Sequence, residues 1–444
     1  MTVLLVLFFM MPGFWPSLPT DTLTLDAARE AATLRFQERG QQGIYADLTA
    51  LQLQDLGAGR LPQVTLSGRA VYQSEVPKLP IEMPGFSPPE VARDQYEIAL
   101  GVEQLLFDAG RTSAQREVAR ASGSLEQARV EVQIHDYLQR ADAAYFGALL
   151  QNTAVEVLHS HREELLLRRR MLTARRESGL LTGGEIDELD VQVLELDQRL
   201  AEARGLQVAA LQALGVLTGL DIAPDAVLEA PVVDASPEAG QGLRRSTTPG
   251  EDASFADRPG LARPENRVFE LQRDRLKRQV AVAARQQHPT VFGFGSAAYG
   301  RPPGMNIFEN DLSPYFSAGL RLRWPVWDRG SVRRERRTAE LRQALVDAEQ
   351  DAFLQSVEVE AAEIRADIER LHRAIDQDAQ ILQFRERLAQ RAADQLENGT
   401  ISVTDYLIHQ EAVHRARLNE KRHRLELTFA HVRYRNTLGD HAAN

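Results

Sequence analysis

The sequence predicts a fold that is mainly α with membrane β. It reads as two copies of one unit, each a pair of amphipathic strands followed by a long coiled-coil helical hairpin. Three observations predict this. Landmarks recur at a fixed offset of 220 residues. Two long proline-free stretches carry apolar residues at coiled-coil spacing. Four segments alternate apolar and polar residues over ten or more positions.

The offset is carried by Phe107-Asp108-Ala109-Gly110-Arg111 and Trp327-Asp328-Arg329-Gly330-Ser331, by Glu177-Ser178-Gly179 and Glu397-Asn398-Gly399, and by Gly219 and Gly439. One spacing held across three separate landmarks marks a tandem duplication. Upstream, Leu61-Pro62-Gln63-Val64 resembles His288-Pro289-Thr290-Val291 at offset 227, so the first copy has a loop seven residues longer. The first repeat covers 21–220 and the second 265–440. Residues 221–264 hold six of the twenty prolines and read as a linker.

Residues 1–20 come first. Val3 to Met11 is nearly continuous apolar sequence. It is too short to span a bilayer, which needs ~20 residues, and fits the core of a signal peptide. No Lys or Arg precedes it, and an apolar tail packed on a core is the alternative.

The strands are expected at 63–72, 96–107, 290–299 and 315–327. In the first, Val64, Leu66, Ala70 and Tyr72 oppose Gln63, Thr65, Ser67 and Arg69. In the second, Tyr96, Ile98, Leu100 and Val102 oppose Glu97 and Glu103. The third is looser, with Phe292 and Phe294 against Gly293 and Gly295. In the fourth, Phe316, Leu320, Leu322, Trp324 and Val326 oppose Ser317, Gly319, Arg321 and Arg323. Strict alternation marks strands with one apolar face, and the lengths suit membrane strands of ~9–11 residues. Tyr96, Tyr315, Trp324 and Trp327 sit near strand ends, as interfacial aromatics do. A half-buried sheet in a soluble protein would show the same alternation. If the strands do span a membrane, they must close into a barrel, because open edges are not tolerated in lipid. Four are too few, so copies must share one barrel: eight strands in a dimer, twelve in a trimer.

The hairpins are expected at 111–215, turning at 179–185, and at 331–437, turning at 399–405. Ala114, Val118, Ala121, Leu125, Ala128 and Val132 form one stripe of period 3.5. Val130, Ile134, Tyr137, Ala141, Ala144 and Ala148 form a second. Leu341, Leu345, Ala348, Ala352, Gln355, Val359, Ala362 and Ala366 repeat the spacing. Stripes of differing phase imply helices packed on more than one side. A helix from Arg111 to Glu177 would run ~100 Å at 1.5 Å per residue. Gly179 and Asn398-Gly399 supply left-handed ends, and Thr182 and Ser402 are N-cap candidates, Ser402 with Asp405 three residues on. Asn398-Gly399-Thr400 also spells a glycosylation acceptor, but the C-cap reading accounts for all three residues.

The net charge of −11 argues against a nucleic-acid partner. The chain lacks cysteine, which excludes disulfides, thiolate metal sites and cysteine nucleophiles. It shows no P-loop, dinucleotide fingerprint, G-x-S-x-G or H-E-x-x-H, so neither enzyme chemistry nor a cofactor is expected. His159 with His161 and His409 with His414 lack the i, i+4 spacing of a helical metal site. Residues 333–337 hold four arginines at a helix start, where cations oppose the dipole; they read as a solvated face, with an anionic surface as compensation otherwise.

Strand pair, F/W-D-x-G, very long helix, glycine turn and return helix, all duplicated, resemble the TolC-like outer-membrane efflux protein family over most of the chain. Leu23-Thr24-Leu25-Asp26-Ala27-Ala28 looks like that family's mature opening, and Arg263-Pro264-Glu265 like its second-half counterpart. The resemblance implies a homotrimer in the cell outer membrane: one twelve-stranded barrel in outer-membrane lipid, continued by a helical tunnel into the periplasm. It implies a passive exit duct in a tripartite pump, with a periplasmic adaptor and an inner-membrane transporter as partners. Adaptor docking would fall at the hairpin turns, on Gly179, Leu180, Gly399, Thr400 and Leu407. Glu185 and Asp405, at offset 220, would line the closed aperture. Ile408 stands where some members carry a second acid. Arg69, Glu97, Glu103, Arg321 and Arg323 would face the barrel lumen. The competing reading is a soluble coiled-coil scaffold with small sheets.

Overall fold

The computed structural model describes residues 22–77, 92–177, 184–231, 260–306 and 309–439. Residues 1–20, Gly179, Leu180, Thr182 and most of the linker fall outside them. The elements are α1 (Leu25–Gln37), α2 (Gln41–Ala58), β1 (Gln63–Tyr72), β2 (Asp94–Phe107), α3 (Arg111–Glu177), α4 (Gly184–Thr218), α5 (Pro264–Arg285), β3 (Thr290–Arg301), β4 (Ser313–Arg323), α6 (Ser331–Glu397) and α7 (Val403–Leu438). They form two compact units. One holds residues 1–40, 131–264 and 352–444; the other holds 41–130 and 265–351. The helices α3 and α6 contribute to both.

The second unit carries the sheet. Its four strands run antiparallel in the order β1-β2-β3-β4. The register pairs Leu66 with Leu100 and Arg69 with Glu97, and Ser296 with Ser317, so the apolar rows of β1, β2 and β4 share one face. A bulge lies between Leu105 and Phe107 in the β2–β3 pair. The fourth strand ends at Arg323, short of the expected 327, because Pro325 has no N–H for a ladder. Beyond the sheet, α2 and α3 approach closely at Gly123, where a Cβ would fall 2.4 Å from the Thr49 hydroxyl oxygen. Arg285 of α5 donates to the Ala109 carbonyl at 3.2 Å.

The first unit is a helical bundle with three apolar clusters among its described residues, the smallest of them Ile364, Ile368, Leu371 and Ala430. One gathers Leu23, Leu25 and Ala28 against Tyr145, Phe146, Leu149, Leu211, Leu214 and Val432. Thr24 caps α1, accepting from the Ala27 amide at 3.2 Å. Arg29 grips the buried Asp142 with two hydrogen bonds of 2.7 Å, and Asn436 donates to the same carboxylate at 2.7 Å. The second core fills the hairpin ends.

The expected stripe on α6 is the exposed one. Leu341, Leu345 and Val359 are 53–62% exposed, whereas Val346, Val357, Ala361, Ile364, Ile368 and Leu371 are buried. Both rows have coiled-coil spacing, and only the latter is used within the chain. Sequence reading also passed over α1, α2 and α5; α1 is short and α2 has no buried residue to mark an apolar face.

Candidate functional site

In the sheet, all five expected lumen residues fall on one face. Arg69 stands opposite Glu97, and Gln63 opposite Glu103. Arg321 and Glu103 form an ion pair of 2.9 Å across the intervening strand. Arg323 lies across from Thr290. The offset-matched pair of Glu103 and Arg323 does not meet; the bond goes to Arg321, two residues away.

Two aromatic assignments change. Tyr315 belongs to this polar face, and its phenol donates to Glu97 at 2.6 Å, so it is not an interfacial belt residue. The parity of β4 carries that signal, since 315, 321 and 323 are all odd. Phe292 and Phe294 also share the charged face, opposite Arg321 and Gly319. The Arg321 guanidinium lies 5.1 Å from the centre of the Phe294 ring. In β3, Gly293, Gly295 and Ala297 hold the other face.

That other face is apolar and open. Leu66, Ile98, Leu100, Phe316, Leu320 and Leu322 are 49–85% exposed. A surface of this chemistry, rimmed by polar ends, marks a contact with lipid or protein.

The hairpin end of the helical unit is the second candidate region. The α6 helix stops at Glu397 in a Schellman turn: the Thr400 amide donates to Gln395 at 2.9 Å and the Gly399 amide to Leu396 at 3.1 Å. Gly399 sits at φ +68, in the left-handed region glycine favours. The Asn398 amide donates to the Asp394 carbonyl, so the Asn-Gly-Thr triplet is used as a helix end. Ser402 then caps α7 in a capping box: it accepts from the Asp405 amide at 3.1 Å while its own amide and hydroxyl donate to the Asp405 carboxylate at 3.2 and 2.7 Å. These bonds hold that carboxyl below its ordinary range. Asp405 and Ile408 are exposed on α7, and Ile408 is 62% so. Glu185 lies in the first turn of α4.

Leu407 is placed differently from expectation. It is 5% exposed and packs with Leu165, Leu172, Ile186, Leu189, Leu396 and Tyr406 in the core of the hairpin end. It is therefore core packing between the helix ends and not a surface residue of this chain. Sequence reading missed a buried polar layer farther along the bundle. There the rings of His161 and His414 stack at 3.7 Å, with Glu164 bonded to His414 at 2.9 Å. Neither histidine has a sequence neighbour that betrays the partner; α3 and α7 bring them together.

Among the described residues, no helix is long and apolar enough to cross a membrane, and no group of His, Asp and Glu could hold a metal ion.

This architecture has known counterparts. VceC of Vibrio cholerae, an outer membrane protein, is 17% identical, with 94% of this chain and 96% of that chain covered at a TM-score of 0.62. CusC is 14% identical over 94% of this chain and 92% of that one, with a TM-score of 0.66. The MtrE outer membrane channel of Neisseria gonorrhoeae is 16% identical over 94% and 88%, with a TM-score of 0.61. No curated protein matches by sequence. A family profile described as outer membrane efflux protein matches residues 46–220 and 261–440, one stretch for each copy of the duplication. Those two stretches take in most of the chain, which therefore belongs to the outer membrane efflux protein family and acts as an outer-membrane channel component of efflux, not as a soluble scaffold.

Proposed function

We propose that three copies of this chain form one passive exit duct. The observation that carries the reading is the four-stranded sheet, apolar and exposed on one face and charged on the other. Its edges are β1 and β4, and an open edge is not tolerated in lipid. Joining β4 of one copy to β1 of the next closes twelve strands in a trimer. The charged face, with Arg69, Glu97, Glu103, Arg321 and Arg323, then lines a water-filled lumen. The exposed row of Leu341, Leu345 and Val359 on α6 supports the same assembly, since a second coiled-coil stripe needs a second partner.

The helical hairpins continue the barrel as a periplasmic tunnel. The turn at Gly399 and Thr400, with its counterpart at Gly179 and Leu180, is the docking point for a periplasmic adaptor, which links the duct to an inner-membrane transporter. Leu407 supports that turn from below. Asp405 and Glu185 place acids near the axis at the tunnel's end, where a ring of carboxylates favours cations. The duct has no chemistry of its own; the transporter supplies the energy.

The test is the mass of the protein extracted from purified outer membranes in detergent. A stable trimer is expected. A monomer or dimer in the soluble fraction, still carrying residues 1–20, would overturn the reading.

A further inference from the structure

The two copies of the F/W-D-x-G elbow differ sharply in charge. Residues 321–342 carry eight arginines and three acids; the matching 101–122 carry three of each. This basic run stands in a chain of net charge −11. On α6 the charge is sided. Arg333, Arg334, Arg336 and Arg337 are exposed, while Val332, Glu335 and Ala339 lie on the covered side. The helix dipole opposes cations at this end, so the cluster is unfavourable for the helix alone.

Beside it lies a second, independent feature. Between the end of β4 and the start of α6, Trp324, Val326 and Trp327 are 56–79% exposed. They follow the apolar row Phe316, Leu320 and Leu322 in the chain, beyond the end of β4, and the Trp324 indole N–H donates to the Gln287 carbonyl at 3.1 Å. The Arg329 guanidinium lies 5.9 Å from the Trp327 ring centre. Arg329 is exposed and has φ +55. Exposed tryptophans next to an apolar sheet face suit the headgroup level of a bilayer. Arginines one helical turn farther from that face suit the phosphates.

We propose that the second elbow, through Trp324, Trp327, Arg333, Arg336 and Arg337, binds the head groups of anionic glycerophospholipid in the periplasmic leaflet. The first elbow does not, because Phe107 and a balanced charge stand in its place. The inference rests on the reading of the sheet as membrane-spanning. It assigns the duct an orientation-fixing lipid contact confined to one of its two repeats.

The full chain, extracted in neutral detergent, would be titrated with short-chain phosphatidylglycerol and with short-chain phosphatidylcholine, using tryptophan fluorescence. Phosphatidylglycerol should bind more tightly, and each arginine should be worth about fivefold in that preference. The triple variant R333Q/R336Q/R337Q should lose nearly all of it, and R116Q, the match of Arg336 at offset 220, should keep it. Equal binding of the two lipids overturns the proposal. So does an undiminished preference in the triple variant, or an equal loss in R116Q. Glycerol phosphate binding as tightly as the lipid would assign a free phosphate site instead. A chain that is soluble without detergent would overturn the membrane reading itself, a distinct failure seen before any titration.

Discussion

Asp108 and Asp328 stand 220 residues apart and make the same turn. Asp108 accepts from the amides of Gly110 at 3.0 Å and Thr112 at 2.7 Å; Asp328 accepts from Gly330 at 2.9 Å and Val332 at 3.1 Å. Each is followed by a left-handed non-glycine, Ala109 at φ +52 and Arg329 at φ +55, then a left-handed glycine. The carboxylate caps the long helix that follows and fixes its angle to the strand. Burial pushes the Asp108 carboxyl up, but hydrogen bonds from Thr112 and Gly110 and the charge of Arg60 outweigh it, and the net shift is downward. A depressed carboxyl contributes stability above its unfolded value and loses it as pH falls through the folded one. Removing the cap by Asp328→Ala should lower the melting temperature. Asp108→Ala should cost more, since Asp108 is buried at 5% exposure and Asp328 is only half-buried. Thermal denaturation of the two variants at neutral pH checks the order.

The two sheet faces predict opposite responses to charge. Leu320 is 73% exposed on the apolar face. Leu320→Arg there should cost about 2–4 kcal/mol in a bilayer and stop outer-membrane assembly. Glu103→Gln, on the charged face, should leave assembly intact and change only the ion selectivity of the open channel. Fractionation and planar-bilayer conductance separate the two. Normal assembly of Leu320→Arg would remove the lipid assignment.

Much of this was legible because the duplication offered each landmark twice. The ends of β1, α3 and α6 fall at the expected residues. At the close of each copy, Gly219 and Gly439 both adopt positive φ, +74 and +84. What escaped has physical reasons. In α2, Ile44, Leu48 and Leu51 make a short stripe that is itself exposed, so nothing in one chain fixes it as a helix face. Which face Phe292 and Phe294 join is set by the register of β3 on β4, where they lie opposite Arg321 and Gly319, and not by the local alternation. Leu407 follows a turn that resembles a docking motif, and only the packing of four helices shows it to be core.

At the hairpin end, neighbouring residues should behave differently. Leu407→Ala opens a cavity among Leu172, Leu189 and Leu396 and should cost about 2–5 kcal/mol. Ile408→Ala removes an exposed side chain and should leave stability within about 0.5 kcal/mol. A Cβ at Gly399 would meet nothing within 4 Å, so Gly399→Ala pays only the left-handed backbone term, about 1–2 kcal/mol. Export by Gly399→Ala should survive, whereas a bulky Gly399→Trp should block adaptor docking with the assembly unchanged. Asp405→Ala and an equivalent change at Glu185 should make the closed pore leakier to ions; unchanged single-channel conductance would count against an acidic aperture. Chemical denaturation and export assays on the same variants distinguish a packing role from a docking role.

The stacked pair His161 and His414 gives the helical unit a sensitivity to acid. Burial is the first cause of its shift: His161 is pushed down to about 4, further by His414 and Arg199 and against the pull of Glu411. His414 is also lowered, again mainly by burial, with Glu164 opposing and Arg417 assisting. Burial pushes the Glu411 carboxyl up, but the hydrogen bond and charge of Arg199 outweigh it, and the net shift is downward. Two neutral rings can stack at 3.7 Å; two charged ones in a buried layer repel. The folded value lies below the unfolded 6.5. The full contribution is therefore present above pH 6.5 and is lost as pH falls towards 4. The loss from His161 is at most about 3 kcal/mol. Hydrogen exchange in α3 around 161 and in α7 around 414 should quicken between neutral pH and 4.5, beyond the intrinsic pH effect. His161→Phe should keep the stack and flatten that dependence. If the variant opens with acid as readily as the native chain, the histidine pair is not the group that titrates.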